Sequence, residues 1–130
     1  MGLILVDSSV LIDYTRGRDP KLQSLFTRLP LAVCGIVRAE LLAGSRSAAA
    51  RAKLIAILDG LVPVTTPESI WDVVGDNLAE LGRNGLTVPV PDAVIATLAM
   101  QLDIEVWTRD SHFAAMQRIL PVLKLYQEPP

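Results

Sequence analysis

The sequence predicts an α/β domain built on a mostly parallel sheet of about five strands, with helices on its faces. Three observations predict it. Short apolar runs such as Leu31–Cys34 alternate with longer segments of helical period, such as the one carrying Ile70, Val74, Leu78 and Leu81. Two helical segments open on a capping residue followed by proline, at Asp19-Pro20 and Thr66-Pro67. No repeat, linker or low-complexity stretch divides the 130 residues, a length that suits one domain with one core.

Leu3–Val6 is a continuous apolar run, suited to a strand covered on both faces. A short helix is expected over Val10–Tyr14. The helix opened by Asp19-Pro20 carries Leu22, Leu25, Phe26 and Leu29 and stops at Pro30. Leu31–Cys34 is the second strand. Ile36–Ala43 is helical in pattern and ends at Gly44, and the alanine-rich Ser47–Leu58 is a further helix with Gly60 as its C-cap. Leu61–Val64 is the third strand, and Pro63, which has no N–H for a ladder, places it at a sheet edge. The helix opened by Thr66-Pro67 runs through Ile70, Trp71, Val74, Leu78 and Leu81 and closes at Asn84-Gly85. Val88-Pro89-Val90-Pro91 is expected to be extended, because a residue before proline is pushed out of the helical region, with the next helix running from Asp92 to Leu102. Glu105–Thr108 is the fourth strand, His112–Arg118 a short helix and Val122–Leu125 the fifth strand. Pro129-Pro130 reads as a loose tail.

Hydrophobic residues make up 51% of the chain and charged residues 20%, which marks it as globular rather than disordered. A net charge of -2 provides no global pull toward nucleic acid, so any such function must rest on a local site. Cys34 is the only cysteine and permits no internal disulfide. No apolar run reaches the roughly 18 residues needed to span a bilayer. The apolar start at Met1–Val6 lacks a basic flank and meets Asp7 too soon for a signal peptide, so a cytoplasmic location is expected.

The chemistry is expected where strands end. Asp7 directly follows the first strand, and Asp110 lies two residues past Thr108. If both strands are central and parallel, their carboxylates emerge at one edge, which is where open α/β sheets bind ligands. Asp92 opens a helix at that same edge. Glu40 falls with Ile36 and Ala43 on what reads as an apolar helical stripe, where a carboxylate is costly unless paired or bound to a cation. Four gathered acids repel one another, and a divalent cation relieves the repulsion. Oxygen donors select a hard ion such as Mg²⁺ or Mn²⁺. One histidine and no thiolate pair argue against zinc. Such an ion suits phosphodiester hydrolysis. Each acid also has an ordinary reading: Asp7 as the end of a strand, Asp92 and Asp110 as helix caps, Glu40 as a solvated helix-edge residue. Their joint placement is what points to a site.

At these residues the sequence resembles the PIN-domain ribonucleases, and most closely the VapC-like toxins of type II toxin–antitoxin pairs. Val6-Asp7-Ser8-Ser9-Val10-Leu11-Ile12 is similar to the family's opening strand and first acid. Arg38-Ala39-Glu40-Leu41-Leu42-Ala43-Gly44 resembles the second motif, Pro91-Asp92-Ala93-Val94-Ile95-Ala96 the third, and Thr108-Arg109-Asp110-Ser111-His112-Phe113 the fourth. The likeness spans essentially the whole chain. It implies metal-dependent endonucleolytic cleavage of RNA, with Asp7, Glu40, Asp92 and Asp110 binding Mg²⁺ (Mn²⁺ substituting). Ser8 and Thr108 would be polar groups that hold carboxylates or water. It also implies a homodimer and a partner antitoxin that blocks the site. The fourth motif departs from some members, which place a further acid just before the aromatic residue where this chain has His112.

Arg16, Arg38, Arg109 and His112 are the candidate contacts to RNA phosphates, with Arg18 nearby, although a solvated surface charge is the ordinary fate of an arginine. Trp71 and Trp107 read as core rather than as base-stacking platforms. The Ser47–Leu58 helix either covers the sheet or packs against a second copy or an antitoxin helix. Two rival readings stand beside the main one. A housekeeping or DNA-directed nuclease could share the fold. A non-catalytic acidic-pocket regulator would need a lysine late in the chain near the acids, and Lys124 falls inside the last strand pattern.

Overall fold

The computed structural model describes residues 2–130. Its elements run β1 Ile4–Val6, α1 Ser8–Arg16, α2 Pro20–Arg28, β2 Leu31–Cys34, α3 Gly35–Ala43, α4 Ala48–Asp59, β3 Val62–Val64, α5 Ile70–Arg83, α6 Val90–Leu102, β4 Glu105–Trp107, α7 Ser111–Ile119 and β5 Lys124–Leu125. The five strands form one sheet in the order β3-β2-β1-β4-β5, and every pairing is parallel. The class and strand number match the expectation. Pro63 lies at the edge as its chemistry requires, opposite Val33 of β2.

The two strands that read as unbroken apolar runs, β1 and β2, are buried along their whole length. That pattern belongs to a parallel sheet with helices on both faces. The core gathers on the central strands and on α6, where every residue from Ala93 to Ala99 is buried. A helix apolar on all sides can only be an interior one. Its one buried hydroxyl, Thr97, is satisfied by donating to Ala93 O at 2.6 Å and accepting from Asn77 Nδ2 at 2.9 Å. α6 packs on α3, α5, α7 and β4, and this holds its first turn against the sheet's carboxyl edge.

The strand order creates the feature on which the site depends. From β1 the chain moves outward to β2 and β3, then crosses back to β4 and β5 on the other side. The loops leaving β1 and β4 therefore diverge, and a crevice opens between them.

Several boundaries differ from the sequence reading. α1 starts at Ser8 rather than Val10, because Asp7 caps it. Thr66-Pro67 precedes a turn, with Ile70 N bonded to Pro67 O at 3.0 Å, and α5 proper begins at Ile70. α6 begins at Val90, so Val90 and Pro91 are helical and not extended; Pro91 sits in the first turn, where a missing N–H costs nothing. β5 is confined to Lys124–Leu125, and Val122 lies outside it, 66% exposed. Trp107 is fully buried as expected, but Trp71 is 45% exposed and is not core. The α5 stripe actually buried is Ile70, Val74 and Leu81. Among the described residues, no helix is long and apolar enough to cross a membrane.

Candidate active site

β1 delivers Asp7 to the crevice. The Asp7 N–H still pairs with Trp107 O at 2.9 Å, one step beyond the last residue of the strand. The backbone then turns into α1 with Asp7 as N-cap. The residue is only 3% exposed. A buried carboxylate needs donors, and Oδ2 has them: it accepts from Ser9 Oγ at 2.7 Å and from Thr108 Oγ1 at 2.9 Å. These hydroxyls are themselves fixed, since Ser9 Oγ accepts from Arg109 N at 3.0 Å and Thr108 Oγ1 from Asp110 N at 3.0 Å. One carboxylate oxygen thus ties the first turn of α1 to the loop after β4. Oδ1 has no hydrogen-bond partner among the described residues, and no buried side-chain polar atom there is left unpaired. Oδ1 therefore keeps some access to solvent.

Three other acids surround this position. Asp92 lies in the first turn of α6 and makes no capping bond, because the N-cap position belongs to Pro89. Its carboxylate meets the His112 imidazole instead, with only 13% of the side chain exposed. Burial first, then the neighbouring charge of Asp7, pushes its pKa up; the hydrogen bond from His112 works the other way. Glu40 corrects an expectation. The buried stripe of α3 is Val37 and Leu41, while Glu40 faces outward at the rim. Its pKa is also raised, by partial desolvation first and then by Asp7 and Asp92. Asp110 does cap α7, accepting from His112 N at 2.9 Å, yet it also closes on Asp92 through the imidazole. His112 Nδ1 lies 3.3 Å from Asp92 Oδ2 and 3.3 Å from Asp110 Oδ1.

Asp7, Glu40, Asp92 and Asp110 are thus brought to one edge from four different elements. Glu40 and Asp92, each raised by burial and by the charge of Asp7, are carboxylates that a nearby cation would stabilise in their charged form. Carboxylate oxygens of this kind are the donor type that suits a hard divalent ion.

The hydroxyl predicted to support Asp7 needs correction. Ser9, not Ser8, bonds the carboxylate, and Ser8 makes no side-chain hydrogen bond among the described residues. The signal was present in the sequence, because an N-cap carboxylate reaches the N–H two residues on and brings that residue's side chain with it. Thr108 Oγ1 donates to the same carboxylate oxygen. Thr108→Val keeps the shape and deletes its three hydrogen bonds, with Asp7, Asp110 and Ser9. Divalent-cation affinity, measured by titration, is expected to fall by about 10–100-fold.

The arginines also differ from the reading of free RNA contacts. Arg109 is engaged on three sides: Glu128 at 2.8 and 2.9 Å, Asp13 at 2.9 Å and Asp19 at 3.1 Å. These partners hold its guanidinium charged. Arg109, with help from Trp107 and Lys21, draws the Glu128 carboxyl down to about 2. Glu128 also accepts from Trp107 Nε1 at 2.9 Å, so the chain just before Pro129-Pro130 is clasped to β4. The sequence reading missed Asp13, Asp19 and Glu128, which only the fold brings together. Arg38 pairs with Asp59 at 3.0 Å. Arg16, with its side chain 63% exposed and a loose contact to Asp13 at 3.8 Å, is the freest of the three.

Comparison with known proteins agrees with this architecture. The chain is similar in fold to a chain of the DNA-bound VapBC from Salmonella typhimurium, at 21% identity and a TM-score of 0.78 over 97% of this chain and 98% of that one. VapBC-1 from nontypeable Haemophilus influenzae gives 19% identity and a TM-score of 0.78, again over 97% and 98%. VapBC2 from Rickettsia felis gives 20% and 0.75 over 96% and 98%. No curated protein matches the chain in sequence. Residues 4–119 match the PIN domain family, and all four acids lie inside that span. The chain belongs to the PIN domain family.

Proposed function

We propose that this protein is a metal-dependent endoribonuclease, working in the cytoplasm as the toxin of a toxin–antitoxin pair. One observation carries the reading: Asp7, locked by Ser9 and Thr108 at the strand-order reversal, faces Glu40 and Asp92, whose charged forms it disfavours. A Mg²⁺ or Mn²⁺ held by Asp7, Glu40, Asp92 and Asp110 would supply positive charge toward the phosphodiester and would acidify a water. The chain's own residues set the rest. Ser9 and Thr108 prevent Asp7 from rotating. Asp92 is shielded from solvent and lies 3.3 Å from His112 Nδ1. Glu40, at the rim with a raised pKa, is the group suited to take the proton that the water sheds as it attacks phosphorus.

The partners in this reading are RNA, a protein antitoxin and a second copy of the chain. The similar structures are VapBC complexes, which supports the antitoxin. α4 buries only Leu58, and a cavity of about 640 Å³ opens between α1, α2 and α4, lined by Tyr14, Phe26, Lys53 and Ile57 among others. A partner helix would cover such a surface. The second copy makes the protein a homodimer in this reading, testable by light scattering. The regulator reading is disfavoured, because Lys124 Nζ bonds Asp103 at the far end of α6 from the acids.

The experiment is cleavage of labelled RNA and DNA of matched sequence with Mg²⁺ or Mn²⁺ present. RNA cleavage faster by at least about 100-fold supports the reading, since the 2′-hydroxyl is the group that separates the two. Equal or faster DNA cleavage would favour the DNA-directed nuclease.

A pH effect follows from the shifted acids. Groups whose pKa is raised on folding add stability below their unfolded pKa and lose it as pH rises through the folded value. Ionising Glu40 and Asp92 therefore costs stability as pH rises, and a bound cation would offset that cost. Mn²⁺ is expected to raise the melting temperature at pH 7. That gain should vanish on acidification at a pH above the ordinary carboxylate range, as scanning fluorimetry with and without Mn²⁺ would show.

A further inference from the structure

We infer that Glu128 is a positioning residue: its one carboxylate pins the two residues on either side of Thr108 and so holds the Thr108 hydroxyl on Asp7. The inference rests on the nuclease reading above. It adds a residue from outside the four acid motifs and outside residues 4–119, the span matched to the PIN domain family.

The segment after β5 delivers Glu128. Tyr126 N donates to Val106 O at 2.8 Å, and the Tyr126 ring meets Trp107 edge-on with centroids 5.3 Å apart. Two residues on, Glu128 Oε2 accepts from Trp107 Nε1 at 2.9 Å and from Arg109 Nε at 2.9 Å. Oε1 accepts from Arg109 Nη2 at 2.8 Å. Trp107 and Arg109 are the two neighbours of Thr108. Side chains along a strand alternate between its faces, so two neighbours drawn one way turn the residue between them the other way. Thr108 is turned to Asp7, where Oγ1 donates to Oδ2 at 2.9 Å. The Arg109 N–H donates to Ser9 Oγ at 3.0 Å, the second hydroxyl on the same carboxylate.

Two features make this contact decisive for the loop after β4. Packing does not fix the loop on the Glu128 side, where a cavity of about 440 Å³ opens, lined by Thr108, Asp110, Ala114, Tyr126 and Glu128 among others. The other acids on Arg109 do not duplicate Glu128. Asp13 and Asp19 take only the outer nitrogens Nη1 and Nη2, from α1 and the cap of α2. Among the described residues, Glu128 is the one partner of Arg109 Nε and of Trp107 Nε1. The side chains of Arg109 and Glu128 are 27% and 20% exposed, and a two-pronged pair so shielded is stronger and more directional than an ion pair in open solvent.

The test compares the full chain as wild type, Glu128→Gln, Thr108→Val and the double variant. Hydrogen exchange read by nuclear magnetic resonance reports on the Arg109 and Asp110 amides, which are bonded to the Ser9 and Thr108 hydroxyls. In Glu128→Gln both are expected to exchange at least about tenfold faster, with the amides of α6 unchanged. In RNA cleavage at saturating Mn²⁺, kcat should fall about tenfold with KM within about twofold, as for a misplaced group rather than weakened substrate binding. In the Thr108→Val background the same substitution should cost less than about twofold, because the contact it protects is already gone. An equal fold loss in both backgrounds would mark a role confined to stability and overturn the inference. Unchanged exchange at Arg109 and Asp110 in folded Glu128→Gln would overturn it too, as would an unchanged kcat. Should Glu128→Gln fail to fold, Arg109→Lys keeps the charge, loses the two-pronged bond and carries the same comparisons. Absence of cleavage by the wild type with either cation would overturn the nuclease reading, and the exchange comparison would still decide whether Glu128 holds the loop.

Discussion

Asp7→Asn is expected to lower the rate of RNA cleavage by about three orders of magnitude while leaving the fold intact. The substitution is nearly isosteric. An asparagine oxygen can still accept from Ser9 Oγ and Thr108 Oγ1, which now stand 2.7 and 2.9 Å from the carboxylate. What disappears is a negative charge in a position only 3% exposed, against which Asp92 and Glu40 are ionised at a cost. Without a cation, removal of that charge relieves repulsion, so the variant should melt no more than a few degrees below the parent. With a cation, the loss of one charged ligand weakens the whole cluster. Single-turnover cleavage and a metal-free thermal melt check the two halves separately. Activity at the parent rate would remove Asp7 from the mechanism. Loss of activity with collapse of the fold would make its role structural.

Trp107→Ala is expected to cost about 3–5 kcal/mol of stability. Trp107 is fully buried at the end of β4, with ring centroids 5.5 Å from Phe26 and 5.3 Å from Tyr126. Its indole N–H holds Glu128, and with it the clasp on Arg109. The variant therefore opens a large cavity and frees the C-terminal segment together. A domain of this size has roughly 5–15 kcal/mol in total, so the change takes away a large share of it. Urea denaturation followed by circular dichroism should show the midpoint falling at unchanged slope. Trp107→Phe keeps most of the packing and loses the bond to Glu128. It should cost less, about 1–2 kcal/mol. A loss below 1 kcal/mol for the alanine variant would mean that the aromatic cluster contributes little.

The parts of this protein legible in its sequence are those set by short-range physics. Asp19-Pro20 opens α2 because capping and a fixed φ act within one turn. Pro63 places β3 at the edge because a missing N–H forbids a second ladder. Asp7 and Asp110 share an edge because parallel strands must end together. The parts that were not legible depend on packing at a distance. Glu40 shares a helical period with Ile36 and Ala43, but the sheet approaches α3 on the side of Val37 and Leu41. α6 starts at Val90 because a proline in the first helical turn gives up an N–H that has no partner there anyway. Trp71 reads as core by its period, yet α5 buries a stripe that leaves it out. Arg109 looked free because its three acidic partners come from α1, the cap of α2 and the C-terminal segment. Ser8 and Ser9 are adjacent, and only the cap geometry chose between them.

The central claim is that the acids around Asp7 act on RNA through a bound cation. The most direct measurement is RNA cleavage by metal-stripped wild-type protein, with Mn²⁺ or Mg²⁺ added back and then removed by a chelator. The account predicts no cleavage before addition, cleavage on addition and its loss on chelation. Undiminished cleavage by the stripped protein in excess chelator would contradict it.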